Sequence, residues 1–207
     1  MTIGSRALYV ETLIRADLDT VWRLTQEPEL HPRWDLRFSA IVPTGTGTGT
    51  GTDAGGRASF RYERALPLHR IRGTGLSIGE RTRPDGTRTS ALSFTTADRL
   101  SPLRSGRGYW RYVPTAEGVR FITGYDYVPG FGRLPDLVLR PLVLWMTAWS
   151  FDRLRIWAET GTPPSRWGLL SVVAVWRADR PRASRCLTRP PREGAMADAP
   201  ATLGALP

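Results

Sequence analysis

Residues 141–159 read PLVLWMTAWSFDRLRIWAE, and this stretch decides how the rest of the chain must fold. It predicts a main helix with Pro141 in its first turn, where a missing backbone N–H costs little. At 1.5 Å per residue the helix is about 28 Å long. Apolar side chains occupy more than one of its faces, so other elements must cover it nearly all round. We expect a separate short helix at residues 133–140, because Pro141 interrupts the pattern.

The sequence before this helix predicts about seven strands. Apolar and polar side chains alternate in each, which is typical of a half-buried antiparallel strand. Phe60 and Tyr62, for example, share one face, while Arg61 and Glu63 share the other. The predicted strands are residues 7–15, 35–42, 57–63, 68–78, 88–96, 105–113 and 119–128, and short helices at 19–26 and 27–31 follow the first of them. This order favours an α+β fold with a meandering antiparallel sheet.

Residues 44–52 alternate Thr and Gly without interruption. A glycine loop that binds phosphate needs a strand before it and a helix directly after it. Another strand follows here instead. We therefore interpret the segment as a hairpin connection of low complexity.

The main helix is expected to end at a Gly-Thr-Pro-Pro sequence, residues 161–164. We divide the chain into a domain, residues 1–162, and a basic tail rich in Pro, Arg and Ala, residues 163–207. The tail contains one apolar run, WGLLSVVAVW, from Trp167 to Trp176. It is shorter than the roughly 20 residues that cross a bilayer. The run is predicted either to lie in a membrane interface or to pack on the domain or on a second copy in a homodimer, and the remaining tail is predicted to be largely disordered.

The net charge of +10 comes from Arg alone, because the 29 basic residues include no Lys. A nucleic-acid binder gathers Arg and stacking aromatic residues on one face. Here the Arg residues are scattered along every segment. We therefore expect no nucleic-acid partner.

The chain offers few ligands for a metal. Cys186 is the single cysteine, so it forms no internal disulfide, and with His31 and His69 it assembles no clustered zinc ligand set. We expect neither metal nor cofactor. Residues 1–6 run directly into the first predicted strand without the features of a secretory signal, so the expected location is the cytoplasm.

Several short sequences carry a resemblance to a known superfamily. They are YVE at residues 9–11, the spacing of Val21-Trp22, Pro28 and Trp34, GYWRY at 108–112, TGYDY at 123–127 and WSFDRL at 149–154. Over residues 7–160 the chain resembles the polyketide cyclase/dehydrase-like, START-like superfamily (SRPBCC), in an actinobacterial branch. The resemblance implies a helix-grip fold, in which a curved sheet and the C-terminal helix enclose an apolar cavity. These motifs mark a fold and specify no reaction.

The resemblance also implies that aromatic side chains on the matching faces of sheet and helix line the cavity. The candidates for ligand binding are Phe60, Tyr62, Phe94, Trp110, Tyr112, Phe121, Tyr125, Trp145 and Trp149. Ordinary core packing is the competing interpretation for each of them. The implied ligand is a small hydrophobic molecule such as a lipid, an isoprenoid or a polyketide.

No catalytic set can be assigned, although the resemblance leaves a cyclase, aromatase or dehydratase as an alternative function. Such an enzyme would need a proton-bearing group in the cavity, for which Arg61, Tyr62 or Tyr125 are candidates. His31 is expected at a helix end and His69 on a strand surface. Asp126 is expected to face solvent or an Arg, and Asp152 and Arg153 are expected to pair with surface charges.

Overall fold

The structure, a computed structural model, describes residues 7–44 and 59–190. One antiparallel sheet has the strand order β1-β7-β6-β5-β4-β3-β2, so the strands from β2 to β7 are neighbours in chain order and β1 adds to β7. The strands are β1 (Leu8–Ile14), β2 (Ala40–Pro43), β3 (Ser59–Leu66), β4 (His69–Thr82), β5 (Arg88–Thr95), β6 (Leu103–Thr115) and β7 (Gly118–Pro129). The helices are α1 (Leu18–Gln26), α2 (His31–Trp34) and α3 (Arg133–Thr160). The predicted α+β helix-grip fold is confirmed.

The region between α1 and β2 differs in detail from the prediction. The second helix was predicted at residues 27–31, yet it begins at His31 and contains Pro32, because proline is tolerated in the first turn of a helix. The next strand was predicted from residue 35 and begins at Ala40. Asp35 instead receives hydrogen bonds from the backbone and side chain of Arg37, which holds this part of the chain out of the sheet.

The long helix is continuous across Pro141, so the predicted break at this residue is wrong. Pro141 has no N–H to donate to the carbonyl of Leu137, one turn earlier. Leu137 is 57% exposed, so this carbonyl lies on the side where solvent can replace the lost bond. Gly161, with φ of 69°, adopts the left-handed conformation that ends the helix.

The main core lies between α3 and the inner face of the sheet. Phe121 of β7 stacks on Phe151 of α3 with ring centroids 4.5 Å apart, and both are fully buried. Trp34 packs edge-on against both rings. Burying each of these side chains contributes roughly 1.5–3 kcal/mol, so the aromatic cluster fixes α3 on the sheet.

The segment after α3 packs against the domain. Trp167 is 1% exposed and lies against Trp149 and Leu36. Cys186 belongs to the main core, and Leu187 forms an antiparallel bridge with Glu11 of β1. The division of the chain at residue 162 stays a prediction, and residues 191–207 lie outside the described part.

Asp152 and Arg153 were expected to pair with surface charges, and both are buried instead. Asp152 is ion-paired with Arg155 at 2.7 Å and with Arg185 of the tail at 3.1 Å. Arg153 donates to the carbonyls of Arg33 and Pro164. The expectation failed because the tail covers this face of α3.

The Thr-Gly segment from residue 45 onward lies outside the described residues. It joins β2 to β3, which pair antiparallel with Pro43 opposite Phe60. Its interpretation as a hairpin connection stays a prediction.

Candidate functional site

A cavity of about 180 Å³ lies between α3 and strands β3 to β7. Its wall is mostly apolar and comes from the sheet, from the segment after α2, from the loop before β6 and from two positions of α3. The apolar side chains that line it include Ile71, Leu92, Phe94, Leu103, Val143 and Met146. An apolar cavity of about 150 Å³ can hold benzene, so this one has room for a small ring system or a short chain.

Four of the nine predicted ligand-binding residues line this cavity: Tyr62, Phe94, Trp110 and Tyr125. Their strands project alternate side chains towards α3, as the sequence pattern indicated. Their role as ligand contacts stays a prediction.

The other five lie elsewhere. Tyr112 and Phe121 belong to the main core, and Phe60 covers Gly75 of β4, where a Cβ atom would come within 2.1 Å of its ring. Trp145 and Trp149 face the tail, beside Trp167. Sequence reasoning misplaced these two because α3 is apolar on several faces, so its periodicity could not show which face meets the sheet.

Two arginine residues, Arg37 and Arg64, line the cavity although they were not among the residues predicted from the sequence. Arg64 continues the alternation of Phe60 and Tyr62 on β3, and that signal could have found it. Arg37 lies in the irregular segment after α2. Its stretch was predicted as a strand, so the sequence offered no usable signal for its direction.

Arg37 is bound to a buried carboxylate beside the cavity. Its Nη2 atom lies 2.6 Å from Oδ2 of Asp35, which is fully buried. Burial alone would raise the pKa of Asp35, but the charge and hydrogen bonds of Arg37 hold it well below its usual range. Burial would likewise lower the pKa of Arg37, and Asp35 raises it. Both groups are therefore charged at neutral pH, and their charges compensate each other.

His31 packs behind this pair and does not line the cavity. Its Nε2 atom lies 3.1 Å from Oδ2 of Asp35, and its ring stacks on Trp34. Burial lowers the pKa of His31, and the hydrogen bond to Asp35 opposes that effect only in part. His31, expected at a helix end, is the first residue of α2 and is neutral at pH 7.

His69 and Asp126 lie away from the cavity lining. His69, the first residue of β4, is half-buried and hydrogen-bonded to Asp98 at 2.8 Å. Asp126 of β7 is 3.9 Å from the guanidinium of Arg140, the kind of neighbour that was expected.

The two tyrosine hydroxyl groups of the lining stay protonated at neutral pH. Burial raises the pKa of Tyr62 to about 12 and also raises the pKa of Tyr125. Both can donate hydrogen bonds, and neither can serve as a base near pH 7. Among the described residues that line the cavity there is no Asp, Glu or His.

No family model matches the chain. The fold is the START-like helix-grip fold, which it shares with a STAR-related lipid transfer protein from Xanthomonas axonopodis at a TM-score of 0.56 and 19% identity, over 75% of this chain and 88% of that one. The di-domain aromatase/cyclase StfQ from the steffimycin biosynthetic pathway is similar at a TM-score of 0.54 and 12% identity, over 75% of this chain and 50% of that one. Identities this low show the fold alone.

A curated relative is more similar in sequence. It is the "Uncharacterized membrane protein YndG" of Bacillus subtilis (strain 168), 37% identical over 177 residues. The match spans 83% of this chain and 64% of the relative's length. The relative's origin leaves the actinobacterial branch a prediction.

The expected cytoplasmic location is contradicted by this relative, which is named as a membrane protein. The expectation rested on the first six residues alone, and those carry no information on how the rest of a protein meets a membrane. Within residues 7–44 and 59–190, no helix is both long enough and apolar enough to span a bilayer.

Proposed function

We propose that the chain binds a small hydrophobic molecule in the cavity between α3 and the sheet. The observation that carries the proposal is the cavity itself, which is mostly apolar and is left open beside a core that is packed with aliphatic and aromatic side chains. Close-packed interiors contain few voids of this size, and ligand sites are largely apolar with a few placed polar groups. Two structural neighbours, which are named a lipid transfer protein and an aromatase/cyclase, support such a role.

The size of the cavity limits the guest. A volume of about 180 Å³ suits a ring system or a chain of roughly six to ten carbon atoms. A long lipid, isoprenoid or polyketide would have to extend beyond the lining that the structure describes.

Native mass spectrometry of the freshly purified full chain tests this function. We expect a mass adduct that organic extraction removes, and we expect 2-naphthol to bind the extracted protein with a change in tryptophan fluorescence, because Trp110 lines the cavity. The absence of both an adduct and naphthol binding would overturn the proposal.

Binding without turnover is the form of the proposal that the lining favours. A cyclase, aromatase or dehydratase must move protons, and a general base works best with a pKa near the working pH. The tyrosine pKa values are raised, and Asp35 is held as a carboxylate by Arg37 outside the lining. The cavity therefore supplies donors that can orient a guest but lacks, in its described lining, a group suited to take its proton.

A second proposal concerns contact with a membrane surface. Five large apolar side chains of the tail are more than half exposed: Leu169, Leu170, Val173, Val175 and Trp176. Trp167, which opened the predicted interfacial run, is buried against α3 and is removed from that surface. Exposed apolar patches of this kind mark interaction sites.

The exposed part of α3 extends this surface. Leu134, Val138 and Leu142 are spaced by four residues, so they share one face of the helix, and all three are exposed. The same stripe continues to Trp145, which packs near Val172 of the tail. The stripe and the tail residues 169–176 are here called the apolar rim. Arg166 and Arg177 flank it and share one counter-charge, Asp179, at 3.8 and 3.3 Å, so the group keeps a net positive charge that suits an anionic bilayer.

A homodimer is the competing explanation for the apolar rim. Light scattering of the full chain across a range of concentrations separates the two. A monomer that co-sediments with vesicles supports the membrane proposal, and a stable dimer that ignores vesicles overturns it.

A further inference from the structure

The polar side chains that line the cavity differ in how many of their hydrogen-bond donors and acceptors are already used within the protein. Tyr125 shares a hydrogen bond with Oγ1 of Thr147 at 2.8 Å, and Thr147 in turn donates to the carbonyl of Val143 at 2.9 Å. A threonine hydroxyl has one proton, so Tyr125 must be the donor to Thr147. The guanidinium of Arg37 lies over the ring of Tyr125, with its Cζ atom 5.4 Å from the ring centroid. The single proton of Tyr125 is therefore committed to Thr147.

Two other hydroxyl groups of the lining are also committed. Thr123 donates to the carbonyl of Tyr109 at 2.9 Å, and Ser101 donates to the carbonyl of Leu103 at 2.7 Å. Tyr62 is different. Its hydroxyl reaches the carbonyl of Thr95 only at 3.4 Å, which is long for a hydrogen bond between two oxygen atoms.

Arg64 has the most capacity left. It is half-buried in the cavity wall, two residues after Tyr62 on the same face of β3. Its neighbour Glu63 projects from the opposite face and is bound by Arg70 at 2.9 Å and by Arg72 at 3.1 Å. Among the described residues, none places a carboxylate within ion-pair distance of Arg64.

From this arrangement we infer that the occupant of the cavity is an organic acid, whose carboxylate is bound by Arg64 and Tyr62 while its apolar body fills the cavity. The inference rests on the proposed function. A guanidinium offers a planar set of donors that matches both carboxylate oxygens, and the bond is stronger where water is excluded. The hydroxyl of Tyr62 can donate to the same group.

Arg37 does not compete for this carboxylate. Its charge is already neutralised by Asp35, so an acid placed there would add an uncompensated negative charge to an apolar site. The acid is therefore oriented with its charged end towards β3 and its body towards Leu92 and Met146.

A matched pair of ligands tests the inference on the full chain. The probes are 2-naphthoic acid and its neutral methyl ester, titrated against the intact protein by tryptophan fluorescence. We expect the acid to bind at least about tenfold more tightly than the ester. The reason is that a hydrogen bond to a charged group contributes more binding free energy than one between neutral groups, by an amount that corresponds to about this ratio of affinities. Added salt should weaken binding of the acid and leave the ester unaffected.

Variants assign the effect to Arg64. Arg64→Met should remove the preference for the acid and leave binding of the ester within about twofold. Arg61→Met is the control, because Arg61 is exposed on the opposite face of the same strand, and it should keep the preference. The melting temperature of each variant reports whether it is folded.

The outcomes separate the inference from the proposed function. Equal binding of acid and ester by the unmodified chain, or a preference that survives in Arg64→Met, would overturn the inference and leave hydrophobic binding intact. If neither probe binds and no adduct is found, both fail.

Discussion

Arg37 and Asp35 are two residues apart in the chain and form a close ion pair at the wall of the cavity, with Nη2 and Oδ2 2.6 Å apart. Asp35 is fully buried, and the side chain of Arg37 is 18% exposed. A buried ion pair adds little to the free energy of unfolding relative to apolar residues of similar volume at the same positions. Removing one partner, however, leaves a buried charge without compensation. The pair therefore holds the segment between α2 and β2 in place. Breaking it should measurably lower the free energy of unfolding.

Asp35→Asn should lower the free energy of unfolding by about 3–5 kcal/mol at pH 7. The folded pKa of Asp35 is depressed, so its contribution is complete above the unfolded pKa of about 3.9 and is lost as the pH falls towards the folded value. Urea unfolding of both proteins between pH 7 and pH 2 measures this. The difference between them should narrow below about pH 4; a gap that stays constant on acidification would contradict the assignment.

Leu92→Trp should block the cavity, because the larger ring extends into the open space beside Met146. We expect the affinity for 2-naphthol to fall by at least about tenfold. Overpacking a filled core costs roughly 1–3 kcal/mol, and the free energy of unfolding should fall by less than this here because the cavity has open space. Leu134→Trp adds the same bulk on the exposed face of α3, where the residue is 81% exposed, and it should bind normally. Unchanged binding by a folded Leu92→Trp protein would place the ligand elsewhere.

The strand faces were predictable from sequence, whereas the orientation of α3 was not. Alternation along β3, β5, β6 and β7 correctly directed Tyr62, Phe94, Trp110 and Tyr125 towards the helix, because a strand has only two faces. A helix that is apolar all round gives no such signal. Trp149 was therefore assigned to the cavity, although it faces the tail.

Long-range partners account for the rest of what the sequence could not show. Nothing local indicates that Arg33 and Pro164 supply carbonyl groups to Arg153, or that Arg185 reaches Asp152 from 33 residues away. Arg37 was missed for a similar reason, since its direction depends on the burial of Asp35. These contacts follow from the tail covering α3, and the composition of the tail had favoured disorder.

Arg153→Met should destabilise the protein by about 2–4 kcal/mol, because it leaves the buried carbonyl of Pro164 and the part-buried carbonyl of Arg33 without their donor. Arg153→Lys should recover only part of the loss, since one ammonium cannot reproduce the planar fork of a guanidinium. Urea unfolding measures both. Arg15→Met is the control, because among the described residues the side chain of Arg15 forms only an exposed pair with Glu117, and its loss should change stability by less than about 0.5 kcal/mol. A similar loss in the control would remove the special role of Arg153.

Cys186 reports whether the tail stays on the domain. Burial raises the pKa of its thiol to about 12, and its Sγ atom lies 3.2 Å from the carbonyl of Ala148. Since the thiolate is the reactive form, an aromatic disulfide reagent at pH 8 should label the native chain slowly and the urea-unfolded chain at once. Rapid labelling of the native protein would show that the tail detaches readily.

The two ends of the apolar run in the tail should respond oppositely to the same substitution. Trp167 is buried against Trp149, so Trp167→Ala should cost about 3–5 kcal/mol and speed the labelling of Cys186. Trp176 is 79% exposed, so Trp176→Ala should leave the free energy of unfolding within about 0.5 kcal/mol of that of the unmodified chain.

Trp176→Ala should instead weaken co-sedimentation with vesicles of phosphatidylcholine and phosphatidylglycerol, because an interfacial Trp contributes to membrane binding through the area it buries in the bilayer. Vesicles of phosphatidylcholine alone test the electrostatic contribution of the basic chain, and they should bind the unmodified chain more weakly. If Trp176→Ala sediments with anionic vesicles as well as the unmodified chain does, the apolar rim does not contact the membrane through this residue, and the competing dimer becomes the better explanation for its exposure.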